Sequence, residues 1–125
     1  MNLDDLTTLS SLDPQNMYQQ IAALPDQLDQ AWQLGASLPL TGMHNIRQVI
    51  LSGMGGSAIG ADLLASYCAS ACPVPLIVHR DYELPGWAHG EHTLVIASSH
   101  SGNTEETLSG YQLALQRGCR TLAIT

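Results

Sequence analysis

The stretch "TLVIASSHSGNTEETLSGYQLALQRG", Thr93 to Gly118, decides how this chain folds. It opens on an apolar run, Thr93 to Ser99, that reads as a strand. It closes on "TEETLSGYQLALQRG", a helical pattern with Leu108, Tyr111 and Leu115 expected to face inward and Gly118 near its end. Between strand and helix lies a loop crowded with small hydroxyl residues. Asn103-x-x-Glu106 matches a capping box, so these two are read as satisfying the helix's own backbone. A cap needs one hydroxyl, yet Ser99, Ser101 and Thr104 remain. An oxyanion with three peripheral oxygens would use them all.

The same arrangement occurs earlier. "QVILSG", Gln48 to Gly53, reads as a strand and runs into "SGMGGSAIGADLL", Ser52 to Leu64. Gly53, Gly55 and Gly56 let the backbone turn and approach a ligand closely. Ser57 opens a helix on which Ile59, Leu63 and Tyr67 recur every four residues. Its N-terminus offers free N–H groups and about half a positive charge. Two more apolar runs, Val74 to His79 and Thr121 to Thr125, complete four strands. Near-continuous apolar strands mark a parallel sheet covered on both faces. Strands alternating with helices predict a doubly wound α/β fold, and both hydroxyl loops then fall at the carboxyl ends of strands, where such sheets bind ligands.

Residues 1–45 read as an N-terminal helical segment and residues 46–125 as the α/β domain. Asp13–Pro14 is a helix start, with Met17, Ile21 and Leu24 following at helical spacing. Pro25 stops or restarts the helix. Leu28, Ala31, Trp32 and Gly35 form a second stripe, with Trp32 expected as a core anchor. The chain stops at Thr125, at the end of an apolar strand, which points to a truncated domain.

The chain has 125 residues, 45% of them hydrophobic and none of them Phe. Its mean hydropathy is +0.04. It carries 4 basic and 11 acidic residues, a formal charge of −7, which disfavours nucleic acid and anionic membrane surfaces as partners. No apolar run approaches the roughly 18 residues of a membrane span. The N-terminus lacks the basic start and apolar block of a signal peptide, so a cytoplasmic location is expected. Cys68, Cys72 and Cys119 do not have the spacing of a zinc site and read as free thiols in a reducing compartment, with no metal expected.

Gly53-x-Gly55-x-x-Ala58 also fits a dinucleotide fingerprint, with Asp81 as ribose acid and Arg80 beside it for a 2′-phosphate. A dinucleotide fold needs one phosphate loop, whereas here two converge, so no cofactor is expected. The rival remains an NAD(P)-binding Rossmann domain.

"GMGGSAIGADLL", "HRDYELP" and "SSHSGNTEET", in this order, resemble the sugar isomerase (SIS) domain over residues 46–125. More closely, they resemble the N-terminal SIS half of the phosphoglucose/phosphomannose isomerases. The resemblance implies a flavodoxin-like five-stranded parallel sheet and a small phosphorylated sugar as ligand. By the same resemblance Gly55, Gly56 and Ser57, then Ser99, Ser101 and Thr104, hold the phosphate. His100 departs from the tyrosine usual there and is expected to point to solvent. The catalytic glutamate and histidine of that family come from sequence beyond Thr125, so this chain is expected to bind without isomerising. Glu83 reads as structural, and His89 and His92 as solvated. An uncovered sheet edge predicts a homodimer. A phosphosugar-sensing domain without catalysis is the alternative.

Overall fold

A computed structural model describes residues 11–125. The chain divides into one unit ending at Thr41 and a second spanning Gly42–Thr125.

The first unit contains α1 (Met17–Ala22) and α2 (Leu24–Ser37). The Asp13 carboxylate accepts the N–H groups of Met17 and Tyr18 at 2.8 and 2.7 Å, so Asp13 satisfies the exposed start of α1. Pro14 lies in the turn before the helix and not at its first position. Pro25 restarts the chain in the first turn of α2, where its missing N–H would be unpaired anyway. Neither helix buries a residue. Trp32 is 75% exposed, which corrects its reading as a core anchor. Two helices alone have no second layer against which to bury such a stripe.

The second unit is built from β1 (Gln48–Gly53), α3 (Gly55–Cys68), β2 (Leu76–His79), β3 (Thr93–Ser98), α4 (Glu105–Gln116) and β4 (Arg120–Ile124). The strands pair in parallel in the order β2-β1-β3-β4. This is the order of the first four strands of a flavodoxin-like sheet. The described residues hold four strands where the resemblance implies five.

Alternate residues of β1 feed two cores. Val49 and Leu51 pack with Ala61 of α3 on one face. Ile50 packs with Val95 of β3 and Ala114 of α4 on the other. Leu84 and Ala88 join this second core. They belong to the β2–β3 connection, which crosses the sheet without a helix. Arg117 holds the connection in place: its guanidinium donates to the carbonyls of Leu84, Pro85 and Ala88 at 3.2, 2.9 and 3.3 Å. The Pro85 carbonyl also accepts from Ala88 N–H at 2.9 Å, so Arg117 chiefly serves the carbonyls of Leu84 and Ala88.

Both helices meet the sheet through small residues. α3 buries Ala58 and Ala61, and α4 buries Thr107, Gly110 and Ala114. Leu108 and Leu115 are exposed and Tyr111 is half-buried, contrary to the inward stripe expected from spacing. The reason is proximity. A Cβ on Gly110 would stand 3.1 Å from both the Glu83 carbonyl and the Ser52 hydroxyl. Nothing larger fits at position 110, so Leu108 and Leu115 face outward, while the half-buried Leu113 packs against the core. The helix ends in a Schellman motif, with Gly118 N–H on the Leu115 carbonyl (3.2 Å) and Cys119 N–H on that of Ala114 (2.9 Å).

This sidedness is testable by denaturant unfolding. Ile50→Ala, at a fully buried position, should cost about 2–5 kcal/mol. Leu115→Ala should change stability by only about 0.5 kcal/mol. Comparable losses at the two positions would show that α4 packs on the other stripe.

Candidate anion site at the switch point

The strand order reverses between β1 and β3, so the chain leaves these neighbours on opposite faces of the sheet. Gly53 and Ser98, their last residues, are paired in register. A Cβ on Gly53 would lie 2.9 Å from the Ser98 carbonyl and 3.4 Å from the Ser57 Cβ. Glycine is therefore required at the end of β1, beside Ser98.

The first loop is short. Met54 is extended, and Gly55 takes φ +51° at the start of α3, a left-handed conformation that glycine adopts without strain. Gly55 and Gly56 are exposed, and Ser57 is half-buried in the first turn. The first N–H groups of α3 have no intrahelical acceptor, and the N-cap residue Met54 supplies no side-chain acceptor for them.

The second loop is organised around Ser99, which is only 7% exposed. Its N–H donates to the Ile124 carbonyl at 3.0 Å, and its carbonyl accepts from Gly102 N–H at 3.0 Å. Its hydroxyl shares hydrogen bonds with Thr104 at 2.8 Å and Ser101 at 3.5 Å. The exposed Ser101 hydroxyl also accepts from Asn103 N–H at 3.2 Å. Thr104 is the N-cap residue of α4, but its side chain makes no bond to the helix backbone. The capping box expected at Asn103 and Glu106 is therefore displaced: the helix begins at Glu105, and its cap position is Thr104. The hydroxyls of Ser99, Ser101 and Thr104 form one connected cluster at the N-terminus of α4. Gly55, Gly56 and Ser57 stand at the N-terminus of α3 across the Gly53–Ser98 pair.

The neighbouring side chains are largely engaged. His100 points to solvent, as expected. Glu105 accepts from the Tyr82 hydroxyl at 3.0 Å. This bond, reinforced by the charges of Glu106 and Glu105, raises the pKa of the Tyr82 phenol. Glu83 has φ +61° and donates its N–H to the Ser109 hydroxyl, a structural role. His92 is tied through Nδ1 to the Asn45 carbonyl at 3.0 Å, so it is not simply solvated. Two further groups, Thr107, which the sequence reading passed over, and His79, to which it assigned no role, are buried without partners. Thr107, three residues after Thr104 on the inner face of α4, has a buried hydroxyl with no partner. His79 ends β2 beside Ser52 of β1, and its Nε2 is likewise buried and unpartnered.

The dinucleotide reading finds little support. Arg80 forms an ion pair with Asp62 and donates to the Ala58 carbonyl, both on α3. Asp81 accepts from the N–H of Tyr82. Neither side chain is positioned by the structure for a ribose. Among the described residues no group of three or more His, Cys, Asp or Glu could hold a metal. No helix among them is long and apolar enough to cross a membrane.

A flavodoxin-like parallel sheet that opens two glycine- and hydroxyl-rich loops onto one switch point defines the class: a doubly wound α/β domain. The chain is 44% identical over 110 residues to the bifunctional phosphoglucose/phosphomannose isomerase of Caldicellulosiruptor bescii, covering 87% of this chain and 32% of that protein. It is 39% identical over 77 residues to the protein of the same name from Thermoplasma acidophilum, covering 62% and 24%. A glutamine–fructose-6-phosphate aminotransferase (isomerizing) from Halobacterium salinarum is 45% identical over 53 residues, covering 42% of this chain and 9% of that one. These similarities bear out the resemblance to sugar isomerase domains. The chain spans about a third of the length of the first relative and about a quarter of the second. No family model and no solved structure matches it.

The close approach at the strand ends can be tested directly. Gly53→Ala should destabilise the domain by about 1–3 kcal/mol, the usual range for overpacking. An unchanged unfolding midpoint would mean that β1 and β3 are not so closely apposed.

Proposed function

We propose that this chain is the phosphosugar-anchoring part of an aldose–ketose isomerase that acts on phosphoglucose and phosphomannose. The observation that carries the reading is the connected hydroxyl cluster of Ser99, Ser101 and Thr104 at one helix N-terminus, beside Gly55–Ser57 at another. Supporting it are the names of the relatives, which span more than the matched segment.

The phosphate would sit across the Gly53–Ser98 pair. N–H groups of Gly56 and Ser57 and the Ser57 hydroxyl would donate from one side. The hydroxyls of Ser99, Ser101 and Thr104 would flank it on the other, donating the hydrogens that their mutual bonds leave free. Every one of these is a neutral donor, so they anchor charge without moving a proton. Exchange between aldose and ketose needs a base at C1 and C2 and an acid at the ring oxygen. The loop hydroxyls and N–H groups are suited to neither task, so the two loops position the substrate and other residues perform the chemistry. We also place the protein in the cytoplasm as a homodimer. The exposed Ile59, Leu63 and Tyr67 on α3 support self-association.

Calorimetry with glucose 6-phosphate and fructose 6-phosphate tests the anchor. Ser57→Ala and Thr104→Ala should each weaken binding by about 1–3 kcal/mol, the range for hydrogen bonds to a charged group. Affinity equal to that of the unsubstituted chain in both variants would count against the site. A coupled assay on the purified chain should register no turnover; isomerisation that survives repurification would show that the chemistry lies within these residues.

A further inference from the structure

Cys68 ends α3, and Cys72 follows one turn later. The Cys72 N–H donates to the Cys68 carbonyl at 2.8 Å, so a helical turn persists between them. Side chains at this spacing stand roughly 5–6 Å apart at Cβ. A disulfide needs about 3.5–4.5 Å. The pair is thus too widely spaced for a cross-link, and both are free, half-buried thiols.

Both line one hollow of about 240 Å³ at the C-terminal end of α3 and the entrance to β2. The other lining side chains are apolar, among them Ala65, Val74 and Leu76. The Cys72 thiol donates to the Val74 carbonyl at 3.3 Å. No carboxylate or imidazole lines the hollow. The only strong side-chain donors facing it are therefore two sulfurs, one turn apart, in apolar surroundings.

This donor set is selective by its poverty. Calcium and magnesium require several oxygen ligands, and structural zinc requires four ligands. Soft cations such as copper(I) prefer thiolates, and copper(I) accepts two of them. A two-coordinate metal also bridges sulfurs more widely spaced than a disulfide does. We propose that Cys68 and Cys72 form a two-thiolate site for a soft monovalent cation of the copper(I) class. On binding, two S–H bonds break and two sulfur–metal bonds form. Two protons leave to solvent, and no electron is transferred. Retention of the metal therefore strengthens as pH rises.

The site lies at the opposite end of the sheet from the two loops, so it is independent of phosphosugar binding. Cys119 provides an internal control. It packs in the core on the α4 face, where burial, partly offset by the Arg117 charge, raises its thiol pKa.

Anaerobic titration of the purified chain with copper(I), against a chromophoric copper(I) chelator, tests the proposal. One copper(I) per chain should be retained by the unsubstituted protein and by Cys119→Ser. Cys68→Ser and Cys72→Ser should each lose it, with circular dichroism confirming the fold. X-ray absorption on the unsubstituted complex should show two sulfur neighbours at the metal, which needs no variant to fold. Surrender of the metal to the chelator, retention by the serine variants, or a shell of three or more sulfurs drawn from several chains would each overturn the proposal.

Discussion

The approach of β1 to β3 at their last residues governs the functional end of this domain. Neighbouring strands lie about 4.8 Å apart, and at Gly53 and Ser98 even a methyl group would come within 2.9 Å of the facing carbonyl. That closeness brings together two helix N-termini that belong to opposite faces of the sheet. Each carries a partial positive charge and unpaired N–H groups. Neither alone distinguishes an anion site from an ordinary helix start. Their convergence across one glycine–serine pair is what supports the anion-site proposal, because it would let donors reach a single ligand from two directions.

Helix packing follows from the same economy of space. Thr107, Gly110 and Ala114 line the buried side of α4, and Ala58 and Ala61 that of α3. The helices and strands were legible in the sequence because they depend on local pattern: apolar runs, turn glycines and four-residue spacing. The inward face of each helix was not. Large apolar residues ordinarily mark the buried stripe, but here the close approach at Gly110 sets which side faces the sheet, and Leu108 and Leu115 face outward. Trp32 misleads in the same way, since spacing reports a stripe without reporting what covers it. Only a three-dimensional distance, such as that between Gly110 and the Ser52 hydroxyl, separates these cases.

The candidate site was more legible than the packing, because its signal is composition. A loop with more hydroxyls than a cap requires is visible in a sequence. What could not be read was which hydroxyl does which work. The capping-box pattern pointed to Asn103 and Glu106, yet the helix begins two residues after Asn103, and Thr104 occupies the cap position. Thr104 directs its hydroxyl to Ser99 rather than to its own helix. Buried and held by two backbone bonds, Ser99 fixes the positions of Ser101 and Thr104. Such preorganisation lowers the ordering cost of binding.

Charge completes the argument. The chain has only 4 basic residues, all arginines. Arg80 is paired with Asp62, Arg120 with Glu91 at 3.5 Å, Arg117 is committed to three carbonyls, and Arg47 precedes β1 at the end of the strand away from Gly53. An anion at the switch point therefore meets helix termini and neutral donors instead of a cationic side chain. Two helix termini supply about one positive charge between them. That falls short of a phosphate dianion, so water must meet the remainder. The exposure of Gly55, Gly56 and Ser101 leaves room for it. Tyr82 helps by holding Glu105 in a hydrogen bond, restraining one of the two carboxylates in the first turn of α4. A site assembled this way would hold an anion by geometry more than by net charge. Its affinity should accordingly depend on the spacing of β1 and β3 more than on any single residue that touches the anion.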